Sequence, residues 1–375
     1  MELQLRIGTC ILYNAILTIS FIFVKRSKTK KWIFAAYCLL LLLSSFRFTI
    51  GNDYENLFSL FYYSNLEFSG AYSYSFENVG SAIVPILVSI VPDHSKVGAS
   101  TAIGFLSLIF LFYIYKTLDR YKVHDKGIIL LFILSILFQS WDWAKQCAAV
   151  AIFIYSTKYI EDRNFKKYVI YIIIASLFHI SALITLPLYY LSKIYISPRL
   201  LSFSLFIVFI MTELGLFHSI HERLVGLIPY YNEVYAMSQY SYFDQYTYYS
   251  PRFIYTSLWY IVVLLLCPSH IKIYPLIFAI GATLYMVSSG SLLLDRISLY
   301  FTISQLIIVP LELKLLKKKS IGYYLLTFML LVHAFLFNRE IFIDGGLRGS
   351  DIYQSVFSED YDHLKFRDRT LLFVN

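Results

Sequence analysis

The residues able to do chemistry in this chain sit in a few polar islands between long apolar runs. Arg47 is followed by Gly51-Asn52-Asp53-Tyr54, which brings a guanidinium, a carboxylate and a phenol into one short turn. Arg47 and Asp53 can pair with each other, or bind a substrate anion and accept a proton. Glu77 heads a short apolar run, Val79 to Val91, where a carboxylate also suits a helix N-terminus. Lys145 and Gln146 follow Trp141-Asp142-Trp143-Ala144 and open another run, and a lysine among interfacial tryptophans can equally be a snorkelling anchor. His179 lies among Ser176, Leu177, Phe178 and Ser181, either as a core histidine bonded to a carbonyl or as a proton carrier. Arg252 and Arg296 each stand at the start of an apolar run. One arginine at such a place is an anchor; several on one side suit an anion, because each guanidinium offers a fork of N–H donors matched to phosphate oxygens.

The region 218–252 and the start of the run after it are dense in tyrosine, including Tyr248, Tyr249 and Tyr255. Tyrosine presents a flat apolar face with a hydroxyl, which suits sugar rings and also membrane interfaces. Tyr54, Tyr248 and Tyr249 are the sugar-binding candidates. Cys10, Cys38, Cys147 and Cys267 lie inside apolar runs without close spacing, so neither a metal site nor a disulfide framework is expected. No phosphate-binding glycine loop, H-E-x-x-H pair or nucleophile elbow occurs, which argues against a nucleotide-driven pump or a metallohydrolase and leaves no cofactor implied.

The elements that must position these groups are membrane helices. With 375 residues, 58% hydrophobic and 15% charged, and a mean hydropathy of +0.63, the chain has more apolar surface than a soluble domain can bury. Stretches of about 20 apolar residues, enough to cross a bilayer core, recur throughout. The first, Leu3 to Val24, lacks a small-residue cleavage site, runs into Lys25-Arg26 and is expected to stay as an anchor.

The net charge of +8 is distributed in short turns rather than along a polar face, so it reads as topology and not as a nucleic-acid surface. Placing the turns at 25–31, 116–126, 158–167, 193–199, 268–272 and 313–319 in the cytoplasm puts 20 of the 32 basic residues on one side. The segments 47–98, 139–146, 218–252, 290–296 and 338–375 then face outward and carry every chemical candidate except His179. Two runs do not fit as ordinary spans. Val79 to Val91 is short and is expected to lie in the interface or re-enter. Tyr168 to Leu191 begins and ends beside basic turns, which a re-entrant pair of half-helices with His179 near its tip would satisfy. The expectation is one all-α, polytopic membrane bundle over 1–375, of about ten full crossings plus these irregular segments.

Two stretches resemble the EpsG family. Arg47-Phe48-Thr49-Ile50-Gly51-Asn52-Asp53-Tyr54 with the downstream Glu77 is similar to its R-x-x-x-G-x-D-Y block and glutamate. Lys145-Gln146-Cys147-Ala148-Ala149, then Ser176-Leu177-Phe178-His179-Ile180-Ser181-Ala182-Leu183, is similar to its R-Q-x-x-A and S-x-x-H-x-S-A-L blocks, over roughly residues 40–195, and Arg296 with Tyr300-Phe301 to a weaker later block. Lys145 stands where the family usually has arginine, which keeps the charge and loses the bidentate fork.

The resemblance implies a Wzy-type polymerase of exopolysaccharide, capsule or O-antigen repeats, a membrane glycosyltransferase resembling the GT-C class. Its substrates would be polyprenyl-diphosphate-linked oligosaccharides in the cytoplasmic (inner) membrane, with the site facing the periplasm or exterior. A flippase and a chain-length regulator would be its neighbours, and nucleic acid is not among its partners. In that scheme Arg47, Lys145, Gln146, Arg252 and Arg296 hold the diphosphate, while His179 or Asp53, with Glu77 in reserve, takes the acceptor proton. A flippase or transporter of the same glycan, or an O-antigen ligase, would share many of these features.

Overall fold

The computed structural model describes residues 2–26, 30–48, 50, 51, 54, 57, 81–90, 96–217, 250–268, 271, 273–288, 292–318, 320–343 and 349–357. These residues are almost wholly helical. The chain forms two compact units, Met1–Leu186 with Leu330–Asn375, and Pro187–Met329. No linker composition marks the boundary between them.

In the first unit, Glu2–Arg26 begins with an acid and ends on Lys25 and Arg26, each charge opposing the helix dipole at its end. Lys30–Ser45 runs back beside it. Lys96–Tyr121, Ala144–Glu161 and Phe165–Phe178 complete the main bundle, and Asn164 caps the last of these by accepting the Lys167 amide N–H at 3.1 Å. His124–Ile133 and Ile136–Asp142 are one apolar stretch bent by 57°. The bend lies at Ser135, whose φ of 55° no helix residue can keep. At one end of the bundle three of the basic turns meet: Lys30 pairs with Asp119 at 3.0 Å, and Arg120 with Glu161 and Asp162 at 2.9 and 3.3 Å.

After Phe178 the chain doubles back. Tyr168, near the start of its helix, donates to the Thr185 carbonyl at 2.6 Å, although seventeen residues of straight helix would hold them roughly 25 Å apart. The reversal is at His179, in extended backbone between the helix and the 3-10 turn Ile180–Thr185. The helix Ile83–Ile90 docks on this hairpin at its start: Ser81 Oγ and the Ala82 amide both donate to the Leu177 carbonyl.

The last residues of the chain that are described return to the first helices. Asn14 donates to Asn338 Oδ1 at 2.7 Å, which pins Ile321–Glu340 to Glu2–Arg26. Residues 349–357 then lie across the end of Lys30–Ser45, with Phe48 N–H to Gln354 O at 2.9 Å and Val356 N–H to Phe46 O at 3.0 Å.

In the second unit two helices, Pro198–Glu213 and Pro251–Leu266, open in the same way. A serine caps each, and the proline after it costs no hydrogen bond at the first helical position. Tyr274–Ser288 and Leu292–Thr302 pack backbone to backbone at Gly281, where an added Cβ would stand 2.7 Å from Thr302 N. Trp259 donates to Gln305 Oε1 at 3.0 Å, tying Pro251–Leu266 to Gln305–Leu315.

This is a membrane protein by its helices. Among the described residues four are long and apolar enough to cross a bilayer, Glu2–Arg26, Gly98–Tyr121, Leu294–Leu315 and Ile321–Glu340, and the bent pair makes up to five. That is fewer than the ten crossings expected, because apolar helices such as Pro251–Leu266 and Tyr274–Ser288, with 16 and 15 residues, stop short of the roughly 20 a straight span needs.

Candidate functional site

Arg47 leaves the helix Lys30–Ser45 two residues after its end and is 1% exposed. Its backbone is held by the Arg47–Ser355 antiparallel bridge. The side chain passes between two rings, with the guanidinium carbon 5.5 Å from the Trp141 ring centre and 5.8 Å from that of Tyr54. Such contacts favour the charged form in a place where water does not reach. Nη1 donates to the Ser44 carbonyl and to Ser107 Oγ. Nε and Nη2 have no hydrogen-bond partner among the described residues. These two groups share one edge of the guanidinium, the edge whose parallel N–H bonds take two oxygens of a phosphate or carboxylate. Burial lowers the Arg47 pKa to about 10, which still leaves it charged at neutral pH.

The neighbouring groups are locked by contacts between distant parts of the chain. Trp141 Nε1 donates to Ser44 Oγ at 2.8 Å, joining the bent stretch to the end of Lys30–Ser45. Gly51 has φ of 100°, and an added Cβ there would lie 2.5 Å from the Trp141 carbonyl oxygen, so only glycine lets the 47–54 turn approach this closely. Tyr54 is 1% exposed, with its ring edge-on to Phe48 at 5.9 Å. Its ring is thus a wall of the Arg47 box.

Gln146 is buried and Lys145 half-buried in the first turn of Ala144–Glu161, one turn beyond Trp141. Trp141, which contacts Arg47 and Gly51, thus stands four residues before Lys145 in the chain.

His179 is half-buried at the hairpin tip. Its Nδ1 accepts the Ser181 amide N–H at 3.3 Å and lies 2.7 Å from Ser181 Oγ. An amide can only donate, so Nδ1 keeps its lone pair and the ring proton of neutral His179 sits on Nε2. This geometry makes His179 a donor at Nε2.

Arg252 and Arg296 belong to the second unit. Arg252 is exposed in the first turn of Pro251–Leu266, and Arg296 is half-buried on Leu292–Thr302 beside Asp295, which accepts from Ser288 Oγ at 3.1 Å. Asp53, Glu77, Tyr248 and Tyr249 lie outside the described residues. Among the described residues no three His, Cys, Asp or Glu side chains gather to hold a metal ion.

Several contributors were not foreseen from the sequence. Trp141 reads from the sequence only as a neighbour of Lys145, whereas in the structure its ring lies against Arg47 and its Nε1 donates to Ser44 Oγ. Ser107, Tyr353 and Asp351 come from distant parts of the chain; nothing local marks them. Arg6, inside an apolar run, carried a signal of its own: it is buried and ion-paired to Asp351 at 3.2 Å.

No curated protein and no solved structure matches the chain. A family model matches residues 30–346, from the helix that leads into Arg47 to the end of the last described span. That stretch takes in every block on which the sequence resemblance rested, and the chain belongs to the EpsG family.

Proposed function

We propose that the chain is a membrane polysaccharide polymerase that joins polyprenyl-diphosphate-linked oligosaccharide repeat units at the outer face of the cytoplasmic membrane. The observation that carries this reading is Arg47, a buried guanidinium set between two rings with its bidentate edge uncommitted among the described residues. An unpaired ion out of water costs several kcal/mol, so a chain that keeps one has a use for it. A diphosphate supplies the paired oxygens to which that edge can donate. Membership of the EpsG family and the membrane helices support the polymer and its location.

In the proposed reaction a hydroxyl oxygen of one lipid-linked unit attacks the anomeric carbon of another. The bond from that carbon to the diphosphate breaks, its electron pair leaves with the diphosphate, and the hydroxyl proton passes to a base. Arg47 meets the charge that grows on the leaving group, which lowers the barrier more than it strengthens ground-state binding. Lys145 and Gln146 are the further donors of the same unit in this scheme, and Arg252 and Arg296 are the anion-binding candidates that the second unit carries by itself. His179, with its proton on Nε2, suits hydrogen bonding to a diphosphate or sugar oxygen, and the base is then Asp53 with Glu77 in reserve. Tyr248 and Tyr249 remain the sugar-binding candidates, and Tyr54 serves by flanking Arg47.

The test is glycan laddering in cells lacking the gene, complemented with wild type or Arg47→Ala at matched membrane levels. Single repeat units exposed outside and unextended in the Arg47→Ala strain are the expected result. Repeats retained inside would make the chain a flippase, and long polymer left on its lipid carrier would make it a ligase.

A further inference from the structure

Arg47 lies just beyond the end of a helix, yet its surroundings are completed from the far end of the described chain. Residues 349–357 cross beside it and touch its surroundings through Tyr353, Gln354, Ser355 and Val356. Val356 N–H and the Gln354 carbonyl bond to Phe46 and Phe48, the residues on either side of Arg47. Tyr353 Oη donates to the Leu43 carbonyl at 2.9 Å, and its amide donates to Thr9 Oγ1 at 2.8 Å. Tyr353 is also charge-coupled to Arg47, and its own hydroxyl is raised to about 12 by burial, so it stays a donor at neutral pH.

The strap has a firm anchor. Asp351 is wholly buried and meets Arg6 Nη2 at 3.2 Å, and Arg6 is completed by Glu2 at 2.6 Å and by the Ile341 carbonyl. Ser350 O accepts from Tyr13 Oη at 2.9 Å, and the Tyr13 ring packs on Trp141, the same ring that lies against Arg47. A buried ion pair is a poor source of net stability but fixes register well, since any slip leaves a charge without its partner.

We propose that residues 349–357 are a positioning strap for Arg47, that Asp351 and Tyr353 are its positioning residues, and that the strap aims the Nε–Nη2 edge at the diphosphate. This rests on the reading of Arg47 as the diphosphate ligand. A helix end alone leaves the residue two positions beyond it free to rotate. The strap removes that freedom through its bonds to Phe46, Phe48 and Leu43. The ligand then binds a donor pair already in place, without paying to order it.

The experiment uses the purified full chain in nanodiscs, with farnesyl diphosphate as the probe, and records affinity by calorimetry and thermal melting for each protein. Tyr353→Phe removes a single oxygen atom, so it remains informative should Asp351→Asn fail to fold. Loss of a hydrogen bond that fixes a charged donor predicts an affinity drop of about fivefold to tenfold in Tyr353→Phe. Arg47→Lys is expected to bind at least as weakly. The double variant Tyr353→Phe with Arg47→Lys should be no weaker than Arg47→Lys alone, because the strap acts only through the guanidinium.

If the two effects multiply instead, or if Tyr353→Phe shifts melting but not affinity, the strap is structural only and the inference falls while Arg47 keeps its role. If wild type and Arg47→Lys bind the probe equally, the diphosphate reading of Arg47 itself is overturned.

Discussion

Arg6 and Arg47 are both buried in the first unit, and the chain treats them in opposite ways. Arg6 is surrounded by the carboxylates of Glu2 and Asp351 and a carbonyl; Arg47 receives no carboxylate from the described residues, only a carbonyl, a hydroxyl and two rings. The sequence singled out Arg47 because it stands beside Asp53 at the edge of an apolar run, and passed over Arg6 as part of an anchor. Sequence position reports that a charge is near the membrane, whereas which charge is neutralised depends on contacts between residues hundreds of positions apart. His179 shows the same limit: its type suggested a base, but the Ser181 amide fixes its tautomer as a donor. His179→Asn keeps an oxygen where Nδ1 accepts that amide and offers nothing at the Nε2 position. It should leave membrane levels and melting near wild type while abolishing glycan laddering. His179→Gln, which reaches the Nε2 position but loses the cap, should keep part of the activity and lose about 1 kcal/mol of stability, read from thermal unfolding.

At the scale of elements, helices with strong end signals were the most legible. The Ser-Pro starts at Ser197-Pro198 and Ser250-Pro251 are written locally, as are the apolar lengths of Glu2–Arg26 and Ile321–Glu340. The reversal within Tyr168 to Leu191 was legible from its basic flanks, and the structure places the turn of that hairpin at His179. Close backbone packing was not legible, because a glycine in an apolar run looks the same whether it meets lipid or another helix. Gly8 has nothing within 4 Å of its added Cβ, while Gly51 and Gly281 meet backbone atoms at 2.5 and 2.7 Å. Gly51→Ala must therefore strain a positive φ and also shift the Trp141 backbone that its Cβ would meet. A loss of about 1–3 kcal/mol is expected by thermal melting, with weaker laddering at matched expression. Gly281→Val should force Tyr274–Ser288 off Leu292–Thr302 and lower melting by at least as much; Gly8→Ala is the control that should change neither measurement.

For the whole molecule, span counting from the sequence overshoots the helices that are long enough to cross, while the charge bias of the turns supplies an orientation that can be measured. Turns assigned to the cytoplasm because they are basic are found knitted together by Lys30–Asp119 and Arg120–Glu161, while Arg47, Trp141 and residues 349–357 gather elsewhere in the same unit. The proposed orientation is open to direct measurement. In a background with Cys10, Cys38, Cys147 and Cys267 replaced, a membrane-impermeant maleimide added to intact cells should label Phe357→Cys and leave Lys166→Cys unlabelled until the membrane is opened. The reverse pattern would turn the proposed site toward the cytoplasm.

The return of residues 349–357 to Arg47 also sets a clock for synthesis. Arg47 and Trp141 emerge from the ribosome early, and the whole of Pro187–Met329 must follow before Asp351 and Tyr353 exist to complete their surroundings. Throughout translation the nascent chain thus carries the Arg47 side chain without its final enclosure, and a product interrupted before residue 349 would lack the contacts that Asp351 and Tyr353 make with Arg6 and Leu43.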